Sequence, residues 1–211
     1  MDTVLQDIWA GVVGGNRIAV VEAVQAALSE GVPPKDILHS GLIPAMGEVG
    51  SRFERGAYFV PEMLVAARAM KAGLTLLRPS LVVQNVAASG VVVIGTVRGD
   101  LHDIGKSLVA MMLEGSGFEV IDLGTDVPPE RFAQVAKEVN ADVIGLSALL
   151  TTTMQHMRST VKAVEEAGLR ERIRIMVGGA PVTEAFAKEI AADGYAPDAS
   201  TAVALARRLL R

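Results

Sequence analysis

Two different rhythms of apolar residues divide the chain. Over residues 4–12, 18–28, 37–53 and 60–77 apolar side chains recur at helical spacing, with almost no alternation between neighbours. That pattern predicts a bundle of about four helices across residues 1–88. The punctuation agrees with it: Asn16 suits an N-cap, Gly31 follows a helix end, Pro33 and Pro34 separate the second helix from the third, and Pro61 suits the first turn of the fourth. Pro44 falls inside the third periodic stretch and predicts a break or kink there. A short link, Ala87-Ala88-Ser89-Gly90, then leads into a second rhythm. Apolar runs at 91–97, 118–123, 143–147 and 173–177, with a weaker one near 193–195, read as strands. Helical stretches fall between them near 104–116, 129–139, 153–167 and 182–192, and a last one covers 199–210.

Strands that are apolar on both faces and regularly separated by helices imply a parallel, doubly wound sheet. The expected fold class is therefore α/β. A helical bundle over 1–88 is followed by a flavodoxin-like (Rossmann-like) five-stranded parallel-sheet domain over 89–211.

Composition narrows the chemistry. With 211 residues, half of them apolar, the chain can bury the cores of two domains. A formal charge of -4, no basic run and few aromatics remove the electrostatic footprint of a nucleic-acid binder. The absence of cysteine excludes disulfides, thiolate zinc sites and cysteine nucleophiles, so a metal must be held by histidine or oxygen, or arrive inside a cofactor. The opening MDTVLQDIW has neither a basic nor an apolar targeting region, and no apolar run is long enough for a membrane span. A cytoplasmic location without membrane partners is expected.

Ligands of doubly wound sheets bind outside the carboxyl ends of the strands. Three unusual clusters should meet there. The first strand runs into Asp100, His102, Asp103, Ile104 and Gly105; the third ends at Ser147, followed by Leu149 and the run Thr151-Thr152-Thr153; the fourth ends at Gly178-Gly179. Taken singly, each has an ordinary explanation: a lone histidine is more often structural, a serine can bond its own backbone at a strand end, and paired glycines make tight turns. Together they leave a side-chain-poor slot beside an imidazole that Asp100 can orient through its far ring nitrogen. GTVRGD after the first strand does not fit a dinucleotide fingerprint, and Ser147 stands where a phosphoacceptor receiver carries Asp. In the bundle, Phe59, Met63 and Met70 read first as ordinary core and alternatively as a cap over an apolar ligand face.

The spaced set Asp100-x-His102-x-x-Gly105, Ser147-x-Leu149 and Gly178-Gly179 resembles the signature of cobalamin-binding corrinoid proteins of methyltransferase systems. Those are the methylamine, methanol and methoxyarene type, whose cobalamin module is similar to that of methionine synthase. GDLHDIGK, VIGLSALLTTT, VGGAPVT and ADGYAPDA look like this family throughout the second domain, and VGSRFERGAYFVPEM resembles its helical cap. Ser107 departs from the asparagine that many relatives carry.

The resemblance implies His102 as the cobalt ligand, replacing the cofactor's own base, with Asp100 as its hydrogen-bond partner and Thr153 extending that chain. Asp103, Ile104, Gly105, Ser147, Leu149, Thr151, Gly178 and Gly179 would contact the cofactor or its tail, and Phe59, Met63 and Met70 would cover its upper face. The implied cofactor is cobalamin, methylcobalamin during turnover. The implied partners are a substrate-specific methyltransferase, a second methyltransferase acting on a thiol or a reduced pterin such as tetrahydrofolate, and a reductive activase. A cap that opens by motion near Ser89-Gly90 is expected with them. The alternatives are a cobalamin sensor without its own output domain and the cobalamin portion of a methionine synthase. In the methyl-carrier reading, the chain would be a corrinoid subunit of a methyltransferase system that is not catalytic alone.

Overall fold

The computed structural model describes residues 3–84, 86 and 88–211, so Ala87 of the predicted link lies outside the described residues. The chain forms two compact units, Met1–Ala88 with Glu114–Gly117, and Ser89–Leu113 with Phe118–Arg211.

The first unit is helical: α1 (Thr3–Val13), α2 (Arg17–Ser29), α3 (Pro34–Asp36), α4 (Ile43–Glu54) and α5 (Val60–Val83). Asn16 caps α2, its side-chain oxygen accepting from the Ala19 N–H at 3.1 Å, and Gly31 takes a left-handed φ of 81° beyond the helix end. The kink expected at Pro44 takes the form of a π-helical segment, Ile37–Leu42, that joins α3 to α4. An α-helical path would drive the proline ring into the carbonyl four residues back. The wider π turn avoids this, and the Ile43 N–H reaches back to the Leu38 carbonyl.

Helix α5 starts as expected, with Pro61 in its first turn and the Glu62 carboxylate accepting from the Phe59 N–H at 2.9 Å. It continues past the predicted end at residue 77 and through Pro79. A proline's fixed φ is itself helical, so the chain forgoes a hydrogen bond there without leaving the helix. Ile8, Val20, Leu42, Met46, Met63 and Met70 are buried in this unit.

The second unit holds five parallel strands, β1 (Val91–Thr96), β2 (Glu119–Asp122), β3 (Val143–Ser147), β4 (Arg174–Gly178) and β5 (Gly194–Tyr195), in the order β2-β1-β3-β4-β5. This is the flavodoxin-like order. The connecting helices are α6 (Ile104–Gly115), α7 (Pro129–Glu138), α8 (Gln155–Glu166) and α9 (Glu184–Glu189), and α10 (Ala199–Leu209) closes the chain.

Val93, Ile144, Leu146, Ile175 and Val177 face one side of the sheet and form a single core with Phe132 of α7 and Met157 and Val161 of α8. Alternation sends Val92, Ile94, Val143 and Met176 to the other side, where they are equally buried. Burial on both faces is why these strands are continuous apolar runs. Helix α9 is shorter than its periodic stretch. Thr183 caps it, accepting from the Phe186 N–H at 3.2 Å, and Ala191 takes a left-handed φ of 59° just beyond it. The register sets Thr96 beside Ser147 and Ser147 beside Gly178, so the three central strands end at one level.

Candidate functional site

The loop after β1 carries the imidazole, and its geometry is set by one carboxylate. Asp100 is fully buried, and its Oδ1 lies 2.7 Å from His102 Nδ1 and accepts from the His102 N–H at 3.1 Å. Its Oδ2 accepts from the N–H groups of Leu149 and Leu150, at 2.8 and 3.3 Å, in the turn after β3. The Thr153 hydroxyl lies 2.7 Å from that same oxygen and 2.8 Å from the Leu150 carbonyl. It has one proton to give, and the carboxylate is the stronger acceptor.

Burial pushes the Asp100 carboxyl up, but the bonds from Leu149, Thr153 and His102 outweigh it and hold the group well below the usual carboxylate range. Asp100 presents an acceptor to Nδ1, so the neutral imidazole that suits this contact is the tautomer with its proton on Nδ1 and its lone pair on Nε2. The His102 side chain is half exposed. This is the tautomer and the exposure a metal ligand requires. Among the described residues, no three His, Asp or Glu side chains gather into a metal-ligand set of their own.

Sequence reasoning did not single out several groups that hold this loop. The Thr96 hydroxyl donates to the His102 carbonyl at 2.8 Å. Asp126, in a left-handed conformation with φ 55°, accepts from the Gly99 N–H at 2.7 Å through its side chain and donates its own N–H to the Asp100 carbonyl at 2.9 Å. Lys106, buried in the first turn of α6, pairs with Asp122 at the end of β2. Asp126 left one trace in the sequence, its place in a Gly-Thr-Asp turn after a strand.

A further pattern emerges from exposure. In the stretch 89–211 the exposed large apolar side chains are Leu101, Ile104, Leu149 and Leu150, each from 42% to 73% exposed. Two flank His102 in the chain, and the other two belong to the residues whose N–H groups hold Asp100. Exposed apolar side chains gathered near one imidazole are the kind of surface that an apolar ligand can cover.

The remaining predicted residues divide between the two units. Asp103 and Thr151 are exposed, and the Asp103 carbonyl accepts from the Ser107 N–H at 2.8 Å as α6 begins. Ser147 and Gly178 end adjacent strands, and Gly179 passes the Ala148 backbone so closely that a Cβ there would lie 1.9 Å from the Ala148 oxygen. Gly105 is different: a Cβ there would meet nothing within 4 Å. Neither its backbone conformation nor its packing within the chain calls for glycine. Phe59, Met63 and Met70 belong to the helical unit. Both methionines are core residues there, and the Phe59 side chain is exposed.

Residues 90–204 match the B12 binding domain family, and residues 4–78 match a second family with the same description. The chain is 48% identical over 210 residues to dimethylamine corrinoid protein 3 of Methanosarcina acetivorans, covering all of this chain and 98% of the relative. The chain belongs to the B12-binding corrinoid proteins. Another member, a corrinoid protein of Desulfitobacterium hafniense, is 39% identical over 211 residues, 99% of this chain and 98% of that one.

Solved structures of corrinoid-binding proteins agree in fold. A cobalamin-binding protein from Desulfitobacterium hafniense superposes with a TM-score of 0.81 at 32% identity, covering 99% of this chain and 98% of that one. A chain of the methanol:cobalamin methyltransferase complex of Methanosarcina barkeri does so with a TM-score of 0.87 at 30% identity, covering 99% and 80%. No helix among the described residues is long and apolar enough to cross a membrane.

Proposed function

We propose that this chain is the methyl-carrying corrinoid protein of a methylamine-dependent methyltransferase system. It takes a methyl group from a substrate methyltransferase, with dimethylamine as the primary donor, and delivers it to a second methyltransferase acting on a thiol or reduced pterin. The observation that carries this reading is the half-exposed His102, its Nδ1 held by buried Asp100 and its surroundings lined with exposed leucine and isoleucine. The relatives named dimethylamine corrinoid proteins, 46–49% identical along the whole chain, support the donor. A reductive activase belongs to the same system, because corrinoids that lose an electron must be returned to the reactive state.

Bound cobalamin supplies a cobalt centre able to accept and release a methyl group. The chain's own residues do the rest. His102 Nε2 is the ligand to cobalt, Asp100 keeps the proton on Nδ1, and Thr153 keeps Asp100 in place. Asp103, Ile104, Leu149 and Thr151 line the approach to the ring. The strand ends at Ser147, Gly178 and Gly179 leave room for the cofactor's tail.

The test is reconstitution of the purified chain with hydroxocobalamin, beside His102→Ala. The parent should bind one corrinoid with a histidine-ligated absorption spectrum and accept methyl groups from dimethylamine when its methyltransferase is added. His102→Ala should keep the corrinoid, lose that spectrum and transfer more slowly. Identical spectra for the two proteins would overturn the ligand assignment. Failure to be methylated by dimethylamine with a competent methyltransferase would overturn the donor.

A further inference from the structure

Strand β1 ends on a threonine that no apolar packing requires. Thr96 is fully buried at the last position of a strand otherwise made of valine, isoleucine and glycine. All of its polar groups are engaged. Its N–H donates to the Gly124 carbonyl at 2.9 Å, its carbonyl accepts from the Val127 N–H at 3.0 Å, and its hydroxyl donates to the His102 carbonyl at 2.8 Å. The first two bonds tie Thr96, the last residue of β1, to the turn after β2. The hydroxyl is therefore a stationary donor beneath the loop.

The other ties on His102 come from Asp100, which grips the His102 N–H and Nδ1. Asp100 is itself held by the turn after β3, so these bonds tie the ring and the N–H of His102 to that turn. They leave the carbonyl side of His102 without a tie to the sheet. The Thr96 hydroxyl supplies that tie, from the end of β1. Ligand bonds keep to within about 0.2 Å of their preferred lengths, so a main-chain shift of a few tenths of an ångström is enough to weaken one.

We propose that Thr96 is a positioning residue for the axial ligand: its hydroxyl pins the His102 carbonyl and thereby places Nε2 at bonding distance from cobalt. The inference rests on His102 being the ligand. The Thr96 hydroxyl itself touches no reacting atom.

The experiment compares Thr96→Val, Thr96→Ala and Thr96→Ser with the parent and with His102→Ala. All are loaded with cob(II)alamin and read by electron paramagnetic resonance, in which an axial nitrogen splits the cobalt lines. Retained corrinoid after gel filtration is measured separately. The parent and Thr96→Ser should show the nitrogen splitting. Thr96→Val and Thr96→Ala should retain corrinoid, with the ratio of nitrogen-ligated to unligated cobalt lowered about five- to tenfold, the effect of one lost buried hydrogen bond.

Undiminished splitting in folded Thr96→Val overturns the inference while leaving His102 as the ligand. So does a loss in Thr96→Ser as large as that in Thr96→Val, which would make the methyl group the important part. If neither hydroxyl-free variant folds, Thr96 is a folding residue and the inference is again overturned. A parent spectrum identical to that of His102→Ala overturns the ligand reading and this inference together, an outcome distinct from the failure of Thr96 alone.

Discussion

Asp100 Oδ1 lies 2.7 Å from His102 Nδ1, with the carboxylate fully buried and the imidazole half exposed. The pair thus spans the boundary between core and solvent. One partner is immobilised by the turn after β3, through Leu149, Leu150 and Thr153, and the other presents its free nitrogen outward. The chain's own bonds aim the ring, so in the proposed role as cobalt ligand the ordering cost of ligation would be reduced.

Because hydrogen bonding holds the Asp100 carboxyl below its ordinary range, it contributes stability that depends on pH. The contribution is fully present above the unfolded-state value of about 3.9 and is lost as pH falls from there toward the depressed folded-state value. Asp100→Asn places an amide NH₂ against one of the backbone or side-chain donors and should cost about 1–3 kcal/mol at pH 7. The gap between the two proteins should shrink as pH drops below about 4. Urea midpoints measured from pH 7 to pH 3 check this, and a gap that stays constant with pH would contradict it.

The exposed collar should matter to the ligand and not to the fold. Leu101→Ser and Ile104→Ser remove side chains that are 73% and 72% exposed, so thermal stability should change by no more than about 0.5 kcal/mol. Each removes apolar surface that a bound macrocycle would cover. Corrinoid affinity should fall about tenfold per substitution, since burying a large apolar side chain is worth about 1.5–3 kcal/mol. Equilibrium dialysis against hydroxocobalamin reads the affinity and calorimetry reads the stability.

Much of this was legible in the chain because each feature rests on local chemistry. Apolar runs on both faces of strands gave the parallel sheet, and its strand order brought the His102 loop, Ser147 and Gly178-Gly179 to one level. The Asp100 bond to His102 was legible because two residues of loop leave the side chains little else to reach. Other features depend on distant partners. The π-helical segment before Pro44 depends on how the neighbouring turn yields to the ring, and the continuation of α5 through Pro79 on the tolerance of a last helical turn. Thr96 and Asp126 act on backbone groups of another segment, and no spacing rule connects residue 126 to residue 99.

Asp126 gives a test of that long-range tie. Its left-handed φ suits Asn and Gly better than Ala, and its carboxylate carries the bond to the Gly99 N–H. Asp126→Asn keeps both the acceptor and the conformation and should be nearly neutral. Asp126→Ala loses the acceptor and keeps the strained φ, at a cost of about 1–2 kcal/mol. Amide exchange at Gly99 should rise in the alanine variant and not in the asparagine variant. Equal exchange in both would mean that the side chain does not hold the loop.

Two glycines at the site should respond in opposite ways to the same substitution. Gly179 has φ 128°, and an added Cβ would lie 1.9 Å from the Ala148 oxygen, an atom of the β3 backbone segment that cannot swing aside. Gly179→Ala therefore combines strain with a backbone clash and should cost more than about 3 kcal/mol, enough to prevent residues 89–211 from folding fully. Gly105→Ala meets no protein atom within 4 Å and lies in the first turn of α6, so it should leave stability unchanged or raise it by up to about 1 kcal/mol. If a macrocycle occupies that open space, the added methyl group should lower corrinoid affinity despite the gain in stability. Thermal unfolding of the two variants, with corrinoid retention measured for Gly105→Ala, separates a glycine kept for the chain from one kept for its ligand. Full affinity in Gly105→Ala would remove that position from the binding surface.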